Sequence, residues 1–187
     1  MNHPSESVTR LIECLDAAVE QGSVEEICAA VKKGMVGLMS QGGFELPAEF
    51  LRQDPDSYAR HLLHKTDDYA VVIMVWGPGQ GTPIHDHDEK WCVECVYSGT
   101  IKVTSYDLLG DGTDGIVDFR EATQVDAGKG MAGALIPPFD YHVIENATDT
   151  LAATIHVYGG EMHGCHTFAR MDDGRYQRQR SALSYTV

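Results

Sequence analysis

Gly79-Gln-Gly-Thr-Pro-Ile-His85-Asp-His87-Asp-Glu-Lys-Trp-Cys92-Val-Glu94-Cys-Val-Tyr-Ser-Gly99 is bounded by glycines and carries two histidines two residues apart. In an extended chain, side chains at i and i+2 leave the same face, so both imidazoles can reach one point in space. That spacing suits a metal site; it also occurs on wet strands that bind nothing. Around this stretch the hydrophobic period is two from Tyr69 onward, punctuated by Gly77-Pro-Gly79, Ser98-Gly99, Gly110-Asp-Gly112, Gly128-Lys-Gly130 and Gly159-Gly160. The pattern predicts strands near 69–76, 91–97, 100–107, 117–123, 132–136, 141–145 and 151–158, the spacing of an all-β sandwich or barrel with short antiparallel turns. The fold class is therefore mainly β.

Before the strands the period is 3.6. Val8, Leu11, Ile12, Leu15 and Val19 mark a helix that Gly22 stops, and Ser23-Val-Glu-Glu26 has the capping-box pattern that opens a second helix, through Val24, Ile27, Cys28, Val31, Met35 and Leu38 to Gly42-Gly43. A short third helix is expected over Pro47–Arg52, with proline in its first turn. Residues 1–56 thus read as a helical cap on a barrel of residues 57–187, within one compact domain. Cys14 and Cys28 fall on apolar helix faces and read as small core residues.

The chain has 187 residues, enough for a substantial core, and 28 acidic against 14 basic side chains give a net charge of −14. That charge repels nucleic acid and anionic membrane surfaces, so neither is an expected partner. Cys14, Cys28, Cys92, Cys95 and Cys165 lack the dense spacing of a secreted disulfide scaffold, and no apolar signal segment opens the sequence, which together suit a reducing cytoplasm. No apolar run approaches the ~20 residues that cross a bilayer. The sequence gives no oligomeric state.

The quoted stretch resembles the first motif of the cupin superfamily, G-x5-H-x-H-x(3,4)-E-x6-G, with Gly79, His85, His87 and Gly99 in place and Cys92 where most cupins have a glutamate ligand. Pro137-Pro-Phe-Asp-Tyr-His142-Val-Ile-Glu-Asn146 is similar to the second motif, P-x-G-x2-H-x3-N, with Phe139 in the glycine position. A cysteine in place of the glutamate, together with a third histidine, resembles the cysteine dioxygenase family. The resemblance covers roughly residues 57–185 and implies a double-stranded jelly roll whose His85, His87 and His142 hold one Fe(II) per chain, with O2 as co-substrate.

Further residues follow the same resemblance. Tyr58-Ala-Arg60 matches the family's carboxylate clamp, for which a forked guanidinium is suited; a surface arginine paired to one of the chain's many acids is the plain alternative. Trp76 is placed to wall the pocket. Thr154-Ile-His156-Val-Tyr158 looks like the outer-sphere Ser-His-Tyr row of thiol dioxygenases, with Tyr158 oriented through His156. Cys165 falls near the mouth and Leu183 where the family closes its pocket. The remaining histidines, His3, His61, His64, His163 and His166, read as structural or solvated.

The implied reaction adds both atoms of O2 to the sulfur of L-cysteine to give cysteine sulfinic acid, the second rung of the thiol oxidation ladder. 3-Mercaptopropionate and mercaptosuccinate are rival substrates, and a non-catalytic metal-binding cupin is a rival of another class that would have no need of Arg60 or the Thr154–Tyr158 row. Cys92 and Tyr158 are the partners that form a thioether in animal members of the family. Glu94 shares the strand face of Cys92, where the family has an apolar residue. It is expected to pair with a cation such as Lys102 or to face the substrate amine, with metal ligation as the third reading.

Overall fold

The computed structural model describes residues 5–110 and 115–186; His3 and Gly112 of the expected Gly110–Gly112 turn lie outside them. Two helices come first, α1 (Glu6–Val19) and α2 (Val24–Ser40). Ser5 caps α1, and the Ser23/Glu26 capping box opens α2 as its sequence specifies. The expected third helix is a single 3-10 turn, Ala48–Leu51, with Pro47 as its cap.

Eleven strands follow among the described residues: β1 Ala59–Lys65, β2 Ala70–Trp76, β3 Ile84–His85, β4 Cys92–Ser98, β5 Thr100–Leu109, β6 Ile116–Gly128, β7 Ala132–Leu135, β8 His142–Glu145, β9 Ala152–Tyr158, β10 Gly164–Arg170 and β11 Tyr176–Ala182. They form a five-stranded sheet, β1-β2-β9-β4-β7, and a second sheet, β10-β11-β6-β5-β8-β3, that closes where β3 pairs back onto β10. Every pairing is antiparallel. This is the cupin double-stranded jelly roll. The seven strands expected from the sequence are present, and β1, β3, β10 and β11 are additional.

The layers explain why β2 and β9 are buried along their whole length. One face of the five-stranded sheet, carrying Val71, Ile73, Val93, Cys95, Ile155 and Val157, packs on Leu11, Leu15, Val31 and Met35 of the helices. The other face, carrying Val72, Met74, Trp76, Cys92 and Tyr158, meets Ile101, Ile144 and Cys165 of the second sheet. A strand covered on both sides needs a continuous apolar run. The helices thus lie along a sheet face rather than over an end of the barrel. Cys28 is fully buried in that layer, Cys14 packs beside it, and all five cysteines are free. No helix is long and apolar enough to cross a membrane.

Gly99 turns β4 into β5 with φ +76°, and a Cβ there would stand 2.8 Å from the backbone of Ala152. Glycine at that motif position is required twice over, by its left-handed conformation and by the close approach. Phe139, by contrast, does not take a positive φ, so the turn before β8 forms without the motif's glycine, leaving the Phe139 ring 88% exposed.

Candidate metal centre and adjoining cavity

His85 and His142 are direct cross-strand partners in the β3–β8 pair, so their side chains leave one face of the second sheet. His87 reaches the same point differently. β3 ends at His85, and His87 sits in the following loop, where the Asp140 carboxylate accepts its backbone N–H (3.0 Å) and faces its Nδ1 (3.1 Å). The expectation of both histidines on one continuous strand is corrected here: a buried acid, not the strand pleat, aims His87. Asp88 and Glu89 then carry the chain away with φ of 53° and 64°. Asp140 was not read from the sequence, although an acid two residues before a candidate ligand was the available signal.

One ring nitrogen from each of His85, His87 and His142 lies within 4.8 Å of the others. The Nδ1 of His85 lies 3.1 Å from the Pro83 carbonyl, which can only accept, so that nitrogen carries the proton and Nε2 is a lone pair. Asp140 fixes His87 in the same tautomer. The Nε2 atoms of His85 and His142 are 3.2 Å apart, close to the ~3 Å that separates two ligands about 2.1 Å from a shared ion at a right angle. Burial and the neighbouring His87 push His85 down to about 4, and burial also drives His142 well below its ordinary value. Three imidazoles converging on one point, with no carboxylate among the clustered donors, fit a divalent cation with open positions.

Beside the triad is a cavity of about 280 Å3. It brings together Tyr58, Arg60, Trp76 and His85 with His156, Tyr158, Cys165 and Leu183, residues that are far apart in sequence. Met74, Thr82, Met162 and Thr167 also line it and were not foreseen. Arg60 lies within β1, not before the first strand, and it is 5% exposed. Its Nη1 donates to the Ser184 carbonyl (3.1 Å), its guanidinium lies 5.5 Å over the Tyr185 ring, and Nε and Nη2 are buried with no partner. The surface-pair alternative is thereby excluded among the described residues: Arg60 is buried and no acid of theirs meets it. Trp76 stacks on Tyr58 at 4.7 Å.

The polar row of β9 is hydrogen-bonded. Trp76 Nε1 donates to Thr154 Oγ1 (2.9 Å), which in turn bonds His156 Nε2 (2.8 Å). The rings of His156 and Tyr158 stack at 5.9 Å without a hydrogen bond between them, a departure from the expected relay. Cys92 is the direct cross-strand partner of Tyr158, and both are buried.

Glu94 differs most from expectation. Alternation along β5 turns Ile101 and Val103 inward and Lys102 outward, opposite Glu145 and Asp126, so Lys102 cannot reach it. Nor does Glu94 line the cavity with Arg60. It borders a separate cavity of about 220 Å3 walled by Val96, Ile101, Val103 and Ile144. Its Oε1 stands 3.8 Å from His142 Nδ1 and its Oε2 3.7 Å from His156 Nδ1, on the side of His142 away from the triad, which rules out ligation in this arrangement. Burial pushes its carboxyl up to about 8.

A family model described as cysteine dioxygenase type I matches residues 8–171. Cysteine dioxygenase type 1 of Rattus norvegicus is 26% identical over 127 residues, 65% of this chain and 62% of that protein. The Homo sapiens protein of the same name is 24% identical over 123 residues, 65% of this chain and 60% of its own. The matches thus span less than two thirds of the length of these relatives. Among solved structures, a protein with a double-stranded β-helix domain from Klebsiella pneumoniae subsp. pneumoniae is 21% identical with a TM-score of 0.46, over 63% of this chain and 90% of that one. Oxalate oxidase in complex with glycolate is 18% identical with a TM-score of 0.45, over 65% and 63%.

Proposed function

The chain belongs to the cysteine dioxygenase type I family, and from that premise we propose that it is an Fe(II)-dependent dioxygenase converting L-cysteine to cysteine sulfinic acid. The observation that carries the reading is Arg60. A guanidinium buried without an acid costs several kcal/mol unless something anionic meets it. Arg60 has two unpartnered nitrogens and lines a cavity that His85 also lines, so a carboxylate bound to it there would hold its own thiol near the triad.

Iron(II) held by His85, His87 and His142 would supply the Lewis acidity that deprotonates the thiol and the electrons that let O2 react. A thiolate and O2 sum to a sulfinate, so no further reductant is required. Arg60 fixes the carboxylate with charge-assisted bonds, turning an encounter into a positioned reaction. Leu183 and Met162 keep the cavity apolar and exclude water. The Tyr158 phenol, held well above its ordinary value by burial and the nearby Cys92, stays protonated as a donor. The opposed Cys92 and Tyr158 are placed to join as a thioether, each losing one hydrogen to O2, which would remove the rotamer freedom of the phenol.

The substrate is carried over from the named relatives. A second reading, 3-mercaptopropionate, rests on one observation: no carboxylate lines the Arg60 cavity among the described residues, so nothing there pairs with a free ammonium. Mercaptosuccinate fits less well, because Arg60 is the one cation lining that cavity. The test is O2 uptake by the anaerobically Fe(II)-loaded protein with each thiol, with the product identified by mass spectrometry. Sulfinate from L-cysteine is expected; uptake with 3-mercaptopropionate alone moves the assignment to that acid, and uptake with neither refutes the enzyme.

A further inference from the structure

Two of the three histidines in the triad have an outer nitrogen matched to an acceptor, the Pro83 carbonyl and the Asp140 carboxylate. The third does not. His142 Nδ1 is buried with no hydrogen-bond partner, and so is Glu94 Oε2. Both unmatched atoms belong to one cluster, since the Glu94 carboxyl lies 3.8 Å from His142 Nδ1 and 3.7 Å from His156 Nδ1. Each gap is under about 1 Å longer than a formed N–H···O bond.

We propose that Glu94 is a positioning residue that accepts an Nδ1–H from His142 and another from His156, tying the third ligand of the triad to the buried Thr154–Trp76 chain. The inference rests on the three-histidine metal reading and goes beyond it.

Strand register places the carboxyl there. Glu94 on β4 is the cross-strand partner of His156 on one side and of Gly133 on the other, so its carboxyl lies on the same sheet face as the His156 ring. His142 comes from the opposite sheet, so Glu94 is also the polar link between the two. Proton accounting then assigns the tautomers. Trp76 Nε1 can only donate, so it occupies one acceptor site of Thr154 Oγ1; His156 Nε2 is that oxygen's other side-chain partner among the described residues, and the Thr154 hydroxyl finds its acceptor there. His156 therefore carries its proton on Nδ1, facing Glu94. A ligating Nε2 on His142 likewise puts that proton on Nδ1, facing the same carboxyl, and two N–H donors favour the ionised carboxylate over the neutral acid that burial alone favours. With both of its nitrogens engaged, His156 has none left for the Tyr158 hydroxyl, and the row serves the triad instead of the phenol.

A carboxylate on the outer nitrogen of a ligating imidazole fixes its orientation and raises its basicity, and loss of such a partner weakens metal binding by roughly ten- to a hundredfold. The experiment is anaerobic Co(II) titration against a competing chelator for the whole protein, Glu94→Gln and Glu94→Leu. Both variants are expected to bind Co(II) about ten- to a hundredfold more weakly while keeping the ligand-field spectrum of the parent. Retention of affinity within about twofold in both variants overturns the proposal; so does a spectrum that has lost a donor, which would make Glu94 a ligand. Should the variants not fold, 15N NMR of histidine in the unmodified protein decides it: His142 and His156 must both be Nδ1–H tautomers, and an Nε2–H tautomer at His156 refutes the linkage. His142→Ala separates the two readings. If it keeps Co(II), the metal centre itself is misassigned; if it loses Co(II) while the Glu94 variants bind as the parent does, only the role of Glu94 falls.

Discussion

Under the proposed function Arg60 is a charge held ready for a ligand, and its removal should separate affinity from stability. Arg60→Gln is expected to raise KM for L-cysteine on the order of ten- to a hundredfold, the worth of one or two charge-assisted bonds. Cysteamine, which lacks the carboxylate, should show no comparable change in initial-rate measurements; an equal loss for both thiols would mean that Arg60 only shapes the cavity. The same variant should unfold at an equal or higher temperature, because it removes a buried charge with no acid beside it. Protonation gives a second test. His85 is pushed from its ordinary 6.5 down to about 4, first by burial and then by His87. Between those values the unfolded chain binds more protons than the folded one, so the metal-free protein should be fully stable above pH 6.5 and lose stability as pH falls toward 4. Urea midpoints across that range check this, and a flat profile would show that the triad is open to water. His85, His87, His142 and Arg60 were legible in the sequence because motif spacing and residue chemistry name them. Asp140 and the true surroundings of Glu94 were not: the first depends on how the loops beside β3 and β8 meet, the second on which strands from opposite sheets come to face each other.

At the scale of elements, β9 concentrates the structural demands, being covered on both faces while carrying Thr154, His156 and Tyr158. Just past its end, a Cβ on Gly159 would stand 2.3 Å from Trp91 Nε1. Gly159→Ala must therefore displace the indole or the end of β9, at a cost of roughly 1–3 kcal/mol, measured as a lowered denaturation midpoint; an unchanged midpoint would show that Trp91 moves aside freely. The strands that the sequence revealed are those with this apolar continuity or clean alternation. β11, Tyr-Gln-Arg-Gln-Arg-Ser-Ala, has neither, because its backbone pairing with β10 and β6 and polar contacts such as the Arg180–Asp88 ion pair, rather than an apolar face, hold it in place. β3 is two residues long and has no period to read. β1 mixes Arg60, His61 and His64 into its run, and burial of the charged Arg60 within it breaks the apolar alternation that marks a strand.

For the whole molecule, the helices and the five-stranded sheet share one apolar layer, so they should unfold together. Leu15→Ala, at a fully buried position of that layer, is expected to cost about 2–5 kcal/mol and to shift helix circular dichroism and tryptophan fluorescence by the same amount. Separate transitions would make the helices an independent unit. The clamp on Arg60 has a consequence in time. Its backbone N–H donates to Thr186 Oγ1, its carbonyl accepts the Thr186 N–H, and its guanidinium donates to the Ser184 carbonyl, more than 120 residues downstream. The edge of β3 that carries His85 is likewise open until β10 arrives. A chain emerging from the ribosome N-terminus first can build its helices and begin the five-stranded sheet, but Arg60 is not held in place until Ser184 and Thr186 have cleared the exit tunnel. Under the proposed function, the carboxylate grip and the edge of β3 would be completed late in synthesis, after most of the five-stranded sheet has formed.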